Sequence, residues 1–291
     1  GVAAAFGFAL TGSSRKCNVL ESIFLEAYQA LISSRPTAFN LKWSLDRMWM
    51  VLTKFSGCDN LSEVLLDEAR AIHNETLESD IKLSSNGVHL IEHHSSVLTH
   101  CNTGALATAG YGTALGVIRM AHEMGRLKEV IVTETRPWLQ GARLTMWELD
   151  KLGIPSTLIV DSAAAQIMKT GRVGVVMVGA DRITSNGDVA NKIGTYALSI
   201  ISKEHGIPFY VAAPFSTIDM SMAKGQDIVI ETRPAIEITH MGGLSTSLKT
   251  ESVINLAFDV TPNQYITGII TERGIARPPY SQSLEALSRI E

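Results

Sequence analysis

The spacing of apolar residues divides the chain into two parts, and the first part has the period of α-helices. There, apolar residues recur every three or four positions, so that one face of each helix is apolar. This pattern predicts helices over 20–31, 38–54 and 62–78, with Ser62 as the N-cap of the third. The first residues, GVAAAFGFAL, are nearly all apolar or small. We interpret them as a buried helix, because a helix that crosses a bilayer needs about 20 apolar residues.

From about residue 86 the pattern changes to that of an α/β fold. Short runs rich in β-branched residues alternate with apolar stretches that are long enough for helices. The predicted strands cover 97–99, 130–133, 157–160, 173–178, 209–212 and 266–271, and the longest predicted helices cover 105–124 and 191–204. This alternation predicts a doubly wound, mostly parallel sheet. The chain is therefore expected to divide into a helical N-terminal domain at 1–85 and an α/β domain at 86–291.

The composition is that of a globular protein. Of the 291 residues, 45% are hydrophobic and 19% are charged, and the net charge is −4. These values exclude a disordered chain, and the lack of a basic stripe argues against a nucleic-acid partner. The three cysteines form no CxxC pair, which favours a reducing compartment. Because no stretch has the length of a membrane span, we expect a cytoplasmic protein with no membrane partner.

Polar side chains follow four of the predicted strands directly. Ligands of an open parallel sheet bind beyond the carboxyl ends of its strands, so these positions are candidates for chemistry. They are His100-Cys101-Asn102 after the first strand, Glu134-Thr135-Arg136 after the second, Asp161-Ser162 after the third and Gly179-Ala180-Asp181-Arg182 after the fourth. A thiol, carboxylates and arginines therefore converge on one edge of the sheet. For Asp161 and Ser162 we favour a role as helix caps.

Cys101 is the strongest single candidate. It lies where a predicted strand ends and a predicted helix begins. The unpaired N–H groups and the dipole of a helix N-terminus stabilise a thiolate, so we expect a thiol pKa below the usual value of about 8.5. The alternative is a buried, inert cysteine, which is how most free cysteines behave and how we interpret Cys17 and Cys58.

Asp181 and Lys192 are the next candidates. Asp181 follows a glycine and an alanine at the end of a very apolar strand, where burial raises the pKa of a carboxyl group as a general acid requires. The alternative is a structural cap for the following turn. Lys192 lies near a predicted helix start and can hold an anion with the help of backbone N–H groups. For Lys192 the alternative is a solvated surface lysine.

Motifs for cofactors and metals are incomplete. The GxGxxxG at 110–116 differs by one residue from the dinucleotide fingerprint and falls inside a predicted helix, which makes an NAD enzyme a weak hypothesis. The sequence contains no phosphate-binding GxxxxGKS or GxxxxGKT loop and no GxSxG elbow. The spacing of His93, His94 and His100 matches no standard metal site. We therefore expect neither a nucleotide cofactor nor a metal ion.

Long segments of the chain resemble the methylthioribose-1-phosphate isomerase family. The matching segments are THCNTGALATAG at 99–110, ETRPWLQGARLT at 134–145 and GADRITSNGDVANKIGTYALS at 179–199, with RPTAFNL at 35–41 and FDVTP at 258–262. They occur in the order of the family, so the resemblance covers nearly the whole chain. The same superfamily contains ribose-1,5-bisphosphate isomerase and the regulatory subunits of eukaryotic translation initiation factor two B.

The resemblance implies an aldose–ketose isomerisation in methionine salvage. In this reaction 5-methylthioribose 1-phosphate becomes 5-methylthioribulose 1-phosphate without an organic cofactor or a metal. The resemblance also implies a small helical domain followed by a Rossmann-like catalytic domain, and a homodimer. Cys101 and Asp181 fall on the catalytic pair of the family. The positions that fall on its substrate-binding residues are Arg35, Gln140, Asn191 and Lys192.

Two alternative functions share features with this resemblance, and in one segment the sequence differs from the family. A ribose-1,5-bisphosphate isomerase shares Cys101 and Asp181, and a noncatalytic regulatory subunit shares the fold. Asp181-Arg182 and DVAN at 188–191 favour the methylthioribose branch, and a thiol with a buried carboxyl has no purpose in a pure scaffold. The family also has RGAPAI directly before the position of Gly1, where its arginine and backbone hold the phosphate. This sequence begins at Gly1, so no phosphate ligand is assigned from that segment.

Overall fold

The computed structural model of the chain describes residues 1–12, 20–248 and 252–290. Within these ranges the α-helices are α1 (Val2–Thr11), α2 (Leu20–Ser33), α3 (Phe39–Phe55), α4 (Leu61–Gly87), α5 (Ala114–Glu123), α6 (Met146–Lys151), α7 (Ala164–Lys169), α8 (Thr195–Glu204), α9 (Ile236–Thr239) and α10 (Tyr280–Ser288). The strands are β1 (Ser95–Thr99), β2 (Leu127–Thr133), β3 (Ser156–Ile159), β4 (Val175–Val178), β5 (Arg182–Thr184), β6 (Val189–Lys192), β7 (Phe209–Ala212), β8 (Ile218–Asp219), β9 (His240–Met241), β10 (Leu244–Ser245), β11 (Phe258–Thr261), β12 (Gly268–Thr271) and β13 (Gly274–Ala276). None of these helices is both long enough and apolar enough to cross a membrane.

Helices α1 to α4 pack around an apolar core of their own. The helix expected at the start of the chain is α1, and its Phe8 is fully buried against Phe24, with the ring centroids 4.9 Å apart. Leu45 and Met48 of α3 and Leu65 of α4 complete the centre of this core. The helical period of the first part is therefore confirmed, since each amphipathic face that it predicts meets the others.

Helix α4 is longer than the sequence pattern predicts. It starts at Leu61 but continues past residue 78 to Gly87. Its last turns pack on the sheet, where Leu83 is fully buried, and a Cβ at Gly87 would lie only 3.0 Å from a methyl group of Val117. Several buried positions of this stretch carry polar residues such as Asp80, so apolar residues do not recur there with the helical period. Because α4 crosses the boundary expected near residue 85, the division into two domains stays a prediction.

The second part is built on a seven-stranded sheet with the strand order β13-β12-β7-β4-β1-β2-β3. Neighbouring strands pair in parallel, except that β13 pairs antiparallel with β12 at one edge. The six predicted strands are β1, β2, β3, β4, β7 and β12, with some ends shifted by up to three residues. Runs of β-branched residues are a local signal, which is why the sequence located these strands.

Both faces of this sheet are buried. Neighbouring residues of a strand point to opposite sides. Val97 of β1 therefore packs in the apolar cluster that includes α5 and α6, and Leu98 packs in the cluster that includes α7, α8 and α10. Val175 and Val176 of β4 divide in the same way. Helices on both faces confirm the doubly wound α/β fold.

The predicted helix at 105–124 is wrong in its first half. That half contains a 3₁₀ turn, Ala105–Ala107, and a loop that lasts until α5 begins. Gly110 and Gly112 in this loop have φ angles of 119° and 98°, which an α-helix excludes. A Cβ at Gly112 would lie 2.6 Å from the Cα of Gly104, because the loop folds back on itself there. The first two glycines of the GxGxxxG motif thus precede the helix instead of lying inside it.

The first residues of the predicted helix at 191–204 form strand β6 instead. β6 pairs antiparallel with β5 and β11 in a four-stranded sheet with the order β11-β6-β5-β8. Gly194, with a φ angle of 106°, follows this strand, and α8 begins at the next residue. β5 starts a few residues after β4 ends, so the small sheet adjoins the carboxyl edge of the large one. Strands β9 and β10 form a separate hairpin.

Candidate active site

The strand order of the large sheet reverses at β1. This strand pairs with β2 on one side and with β4 on the other, so that Val97 lies opposite both Val130 and Val175. Ligands of doubly wound sheets bind beyond the carboxyl ends of the strands at such a switch point. Cys101 follows β1 and Asp181 follows β4, so the topology brings these two distant residues to one crevice.

Threonine hydroxyls hold the backbone of Cys101. Its φ angle of 63° lies in the left-handed region that residues other than glycine rarely adopt. Its N–H donates to Oγ1 of Thr135 at 2.9 Å, and its carbonyl oxygen accepts from Oγ1 of Thr145 at 2.6 Å. The surrounding structure thus maintains a strained conformation, a feature that is common at functional sites.

The loop after Cys101 is anchored by Glu148 of α6. The carboxylate is nearly fully buried and accepts from the N–H of Ala105 at 2.7 Å and from Nδ2 of Asn102 at 2.8 Å. A Cβ at Gly104 would overlap this carboxylate, so the loop requires glycine there. No local pattern in the sequence singles out Glu148, because its position depends on the packing of α6 against this loop.

The thiol of Cys101 is protonated at neutral pH. Burial raises its pKa to about 11. The charge of Lys192 and the N–H of Asn102 oppose this rise, as does Arg35 to a smaller extent, while the charge of Asp181 adds to it. The expected lowering of the thiol pKa is therefore wrong, because the loss of hydration outweighs the favourable charges nearby. Those same charges indicate that the thiol, the carboxyl and the two cations share one site.

Asp181 is the second titratable group of this site. Its Oδ1 accepts from Nη2 of Arg35 at 2.7 Å. Burial raises the pKa of the Asp181 carboxyl, in the direction that the sequence predicted. Arg35 and then Lys192 oppose this rise, and Glu231 adds to it. A carboxyl group with a raised pKa suits a general acid.

Arg35 reaches the site from the helical part of the chain. The segment between Arg35 and α3 is held by Arg182, which donates to the carbonyl oxygens of Pro36 at 3.0 Å and Thr37 at 3.1 Å. Arg182 in turn pairs with Asp219 at 3.3 Å. The contact between Arg35 and Asp181 thus depends on the helical part being held against the sheet.

The ring of Phe258 lies next to both cations. The guanidinium carbon of Arg35 is 5.6 Å from the ring centroid, and the ammonium nitrogen of Lys192 is 4.8 Å from it. Phe258 is the direct partner of Lys192 in the ladder between β11 and β6. Lys192 is 9% exposed, so the solvated-lysine alternative is wrong. The sequence showed Phe258 only as part of a motif, and its contact with the cations required the pairing of two distant strands.

Gln140 and Asn191 are placed differently from the other predicted residues. Gln140 directly precedes a one-turn π-helix, Gly141–Thr145, and its buried Oε1 has no hydrogen-bond partner within the described ranges. A buried acceptor without a partner is costly, so a ligand donor that reaches it gains a hydrogen bond. Nδ2 of Asn191 donates to Oγ1 of Thr195 at 3.0 Å. The Asn191 side chain therefore packs at the start of α8, on the opposite strand face to Lys192.

His100 belongs to a buried layer behind Cys101. Its Nε2 donates to the carbonyl oxygen of Ile193 at 2.8 Å, so its Nδ1 accepts from Oγ1 of Thr133 at 2.6 Å. Burial lowers the pKa of His100, which keeps the imidazole neutral. The imidazole of His100, which directly follows β1, therefore connects this strand end to Thr133 of β2 and to Ile193, the residue after β6.

Asp161 holds the loop after β2 instead of capping a helix. Its two carboxylate oxygens accept from the backbone N–H groups of Thr135 and Arg136, both at 2.7 Å. Since Thr135 in turn fixes the backbone of Cys101, Asp161 supports the site from a second strand end. The sequence placed Asp161 at the correct edge of the sheet but not in this role.

The other cysteines do not join this site. Cys58 is exposed after α3, so the expected burial of this residue is wrong. Cys17 lies outside the described residues. In the part of the chain that the structure describes, no group of three or more His, Cys, Asp or Glu side chains is arranged to hold a metal ion.

Sequence comparison places this chain in a known family. A profile described as the Initiation factor 2 subunit family matches residues 2–278. The chain is 52% identical over 290 residues to the methylthioribose-1-phosphate isomerase of Carboxydothermus hydrogenoformans, covering 99% of this chain and 84% of that protein. It is 51% identical over 292 residues to the enzyme of the same name from Geotalea uraniireducens, with the same coverage.

Solved structures agree with the fold. The structure of 5-methylthioribose 1-phosphate isomerase from Pyrococcus horikoshii OT3 aligns with a TM-score of 0.88 at 43% identity, covering 100% of this chain and 82% of that one. A structure named translation initiation factor eIF-2B, subunit delta, from A. fulgidus aligns with a TM-score of 0.83 at 42% identity, covering 98% of this chain and 84% of that one. The similarity therefore extends over both parts of the chain.

Proposed function

The chain belongs to the Initiation factor 2 subunit family, and we propose that within it the protein is a methylthioribose-1-phosphate isomerase. It converts 5-methylthioribose 1-phosphate into 5-methylthioribulose 1-phosphate, a step of methionine salvage. One observation carries this proposal beyond the similarity: a protonated thiol, Cys101, and a largely buried carboxyl, Asp181, lie close enough at the switch point of the sheet for the charge of one to shift the pKa of the other. This pair of groups with two cations beside it suits proton transfer on a sugar phosphate.

The cations of the site supply charge for the substrate phosphate. Within the described ranges, Lys192 forms no ion pair with a carboxylate, although it is nearly fully buried. A buried ammonium without a paired anion is costly, and a bound phosphate compensates this cost. Arg35 is half exposed and reaches the same site. Gln140, whose buried oxygen is unpaired, is the third proposed substrate contact, and Asn191 stays a prediction from the family resemblance.

Asp181 is proposed as the acid and base of the cycle. The anomeric oxygen carries the phosphate, so the ring cannot open to a free aldehyde. The Asp181 carboxyl protonates the ring oxygen as its bond to C1 breaks, which leaves an oxocarbenium-like C1. Hydrogen then moves from C2 to C1, and the C2 hydroxyl returns its proton to the Asp181 carboxylate as the ketone forms. The carboxyl is thereby regenerated, and atoms and charges balance within the substrate and Asp181.

The protonated thiol favours transfer of the hydrogen as a hydride. Transfer through an enediol requires a base that removes the C2 proton. A thiol with a pKa of about 11 is rarely ionised at neutral pH, and the Asp181 carboxylate is assigned above to the proton of the C2 hydroxyl, so neither group is left for this step. In the hydride route, the polarisable sulfur of Cys101 stabilises the electron-poor C1 instead. Substrate deuterated at C2 distinguishes the routes. Full retention of the label at C1 supports the hydride route, and loss of label to solvent supports the enediol route.

A direct assay tests the proposed function. Purified protein is given 5-methylthioribose 1-phosphate and ribose 1,5-bisphosphate side by side, without added metal or nucleotide, and product is quantified for each. We expect turnover of the methylthio compound and little of the bisphosphate. Faster turnover of ribose 1,5-bisphosphate contradicts the substrate assignment. Turnover of neither compound supports the noncatalytic alternative, to which the likeness to an initiation factor structure also points.

The setting of the enzyme is part of the same proposal. The family resemblance supports a homodimer, and three cysteines without a CxxC pair support a reducing, cytoplasmic environment. The helical residues 1–85 and the α/β residues 86–291 are proposed as two domains that share the substrate, since Arg35 and Asp181 come from different sides of this division.

A further inference from the structure

Glu231 lies between two segments that supply residues of the proposed active site. Its Oε1 accepts from the backbone N–H of Thr37 at 3.1 Å, two residues after Arg35. Its own carbonyl oxygen accepts from the N–H of Ala257 at 3.0 Å, the residue before Phe258. One glutamate therefore contacts both the segment that presents Arg35 and the segment that presents the aromatic ring next to it.

The N–H of Thr37 is the first backbone donor after Arg35, because Pro36 has none. Thr37 is nearly fully buried, so this donor needs an acceptor within the protein. The Glu231 carboxylate provides one, and a hydrogen bond to a charged acceptor is stronger than one between neutral groups. The hydroxyl of Thr37 also donates to the carbonyl oxygen of Val229 at 3.3 Å. The backbone directly after Arg35 is thus held on one segment through two of its donors.

Arg182 and Glu231 hold this backbone in complementary ways. The guanidinium of Arg182 donates to the carbonyl oxygens of the two residues after Arg35, and Glu231 accepts from the N–H of Thr37. The side chain of Arg35 is half exposed, so burial alone does not fix it. Its position therefore depends on this backbone and on its contact with Asp181.

The segment that carries Glu231 is itself fixed. Thr232 pairs with Leu256 in an antiparallel bridge, and the N–H of Arg233 donates to the carbonyl oxygen of Asn255 at 2.8 Å. Residues 231–233 thus run beside residues 255–257, which lead directly into β11. A side chain anchored on this paired backbone can hold a neighbouring segment in a defined position.

Glu231 also affects Asp181 by its charge. Arg35 and Lys192 favour the carboxylate form of Asp181, and the negative charge of Glu231 favours the neutral acid and raises the pKa. Only 10% of the Glu231 side chain is exposed, so water screens this charge weakly. The thiol of Cys101, the other titratable group close to Asp181, is neutral. Glu231 is therefore the group that opposes the two cations at Asp181.

We propose that Glu231 is a positioning residue of the isomerase, which holds Arg35 against Asp181 and offsets the charge of the two cations there. This inference rests on the proposed function. Two cations next to Asp181 favour its ionised form, which cannot protonate the ring oxygen of the substrate. A carboxylate that fixes the segment of one cation and lies near Asp181 opposes this tendency. Glu231 acts through Arg35 and Asp181 and needs no contact with the substrate.

Two substitutions separate the charge of Glu231 from its hydrogen bond. Glu231→Gln keeps an oxygen for the N–H of Thr37 and removes the charge, whereas Glu231→Ala removes both. Loss of a like charge lowers the pKa of Asp181, so kcat/KM for 5-methylthioribose 1-phosphate should start to fall at a lower pH in both variants, by about half a pH unit or more. KM should stay within about twofold of wild type in Glu231→Gln. It should rise about 3- to 10-fold in Glu231→Ala, the range for one lost hydrogen bond, because only this variant releases Arg35.

Glu237→Gln is the matched control. The side chain of Glu237 is 9% exposed, and both glutamates lie near Arg233, at 3.4 Å for Glu237 and 3.9 Å for Glu231. Glu237, however, accepts from Nδ2 of Asn255 instead of from Thr37. We expect this control to keep the KM and the pH profile of wild type. Thermal unfolding of all three variants checks that they fold.

Titration of Asp181 provides a second readout that needs no turnover. The ¹³C signal of its carboxyl carbon, assigned with the Asp181→Asn variant, gives the titration midpoint by NMR. We expect a lower midpoint in Glu231→Gln than in wild type and in Glu237→Gln.

The outcomes distinguish this inference from the proposed function. An unchanged midpoint in Glu231→Gln, or an equal shift in Glu237→Gln, overturns the role of Glu231, and so does a Glu231→Ala enzyme with the KM of Glu231→Gln. A wild-type protein that does not turn over 5-methylthioribose 1-phosphate contradicts the proposed function. In that case the NMR titration still decides whether Glu231 acts on Asp181.

Discussion

Burial controls the protonation of both proposed catalytic groups. It raises the pKa of the Cys101 thiol and of the Asp181 carboxyl, because hydration that stabilises the charged forms is lost. Arg35 and Lys192 act against this effect, and both cations lie next to the ring of Phe258. If the two cations bind the substrate phosphate as proposed, its negative charge offsets theirs, and we expect the pKa values of Cys101 and Asp181 to rise further.

Substitutions at Cys101 and Asp181 test these roles. Asp181→Asn should lower kcat by roughly 10²–10⁴-fold, the range for general acid–base groups. Cys101→Ser should lower kcat as well, because a hydroxyl oxygen is less polarisable than the sulfur proposed to stabilise C1. If the two groups act as a unit, the double variant is little worse than the poorer single variant. KM should change little, because Arg35, Gln140 and Lys192 are proposed to hold the substrate. Steady-state kinetics of the three variants provides the measurement.

The control for this series is Cys58→Ser, which removes an exposed thiol and should leave kcat near wild type. A Cys101→Ser enzyme with normal kcat would remove the thiol from the mechanism and return it to the packed, inert cysteine that the sequence left open.

The pH dependence of alkylation tests the thiol pKa. The thiolate is the reactive form, and its fraction grows tenfold per pH unit below the pKa. With a pKa of about 11, iodoacetamide should modify Cys101 slowly at pH 7, and the rate should still be rising at pH 10. Mass spectrometry of Cys101 against the exposed Cys58 in the same sample gives the comparison. A Cys101 rate that levels off below pH 9 contradicts the raised pKa.

At the scale of elements, the π-helical turn after β2 connects the packing on this strand to the proposed active site. π-Helical turns occur frequently at functional sites. This one, Gly141–Thr145, follows Gln140 and ends at the threonine whose hydroxyl holds the carbonyl of Cys101. A Cβ at Gly141 would overlap the carbonyl oxygen of Thr133, so the turn approaches β2 more closely than any other residue permits.

Gly141→Ala should therefore displace this turn. We expect a destabilisation of about 1–3 kcal/mol from overpacking and a fall in kcat, because Thr145 and Gln140 move with the turn. Chemical denaturation and steady-state kinetics measure the two effects. The matched control is Gly7→Ala in α1, where the added Cβ would meet only Leu31 side-chain carbons at 3.6 Å or more. That change should leave kcat unaltered and stabilise α1 by up to about 1 kcal/mol. Wild-type kcat in Gly141→Ala would show that the turn does not position the site.

At the scale of the whole molecule, the site depends on contact between the helical and the α/β parts. Arg35 belongs to the helical part and Asp181 to the α/β part. Arg182, which pairs with Asp219, holds the residues directly after Arg35 by hydrogen bonds to their carbonyl oxygens. The last turns of α4 join the two parts from another direction, since Leu83 packs in the core of the sheet. The helical part thus contributes to the proposed chemistry and is not only an appendage of the fold.

Light scattering tests the proposed assembly. The family resemblance leads us to expect a homodimer, so the molar mass at micromolar concentration should be twice that of one chain and should stay constant on dilution over about tenfold. A mass equal to one chain rejects the homodimer for this protein. The measurement is independent of the active-site proposals, because the residues assigned to the site all belong to one chain.

The sequence by itself determined the fold class and most of the candidate site. Runs of β-branched residues and helical periods are local signals, so β1, β4 and α3 were located from them within one to three residues. The ends of the strands are predicted from the same local signals, and the residues that follow them include the candidates Cys101 and Asp181. The family motifs added Arg35 and Gln140, which no local pattern would have singled out.

The tertiary structure decided what depends on distant neighbours. The raised thiol pKa follows from burial, which no residue spacing reveals. Gly110 and Gly112 before α5 replaced part of a predicted helix with a loop, since both have positive φ angles and Gly112 closely approaches Gly104. Glu148 and Phe258 entered the site because α6 and β11 pack there from far along the chain. Contacts of this kind arise only when the strand order brings separate segments together, and for that reason local sequence patterns do not contain them.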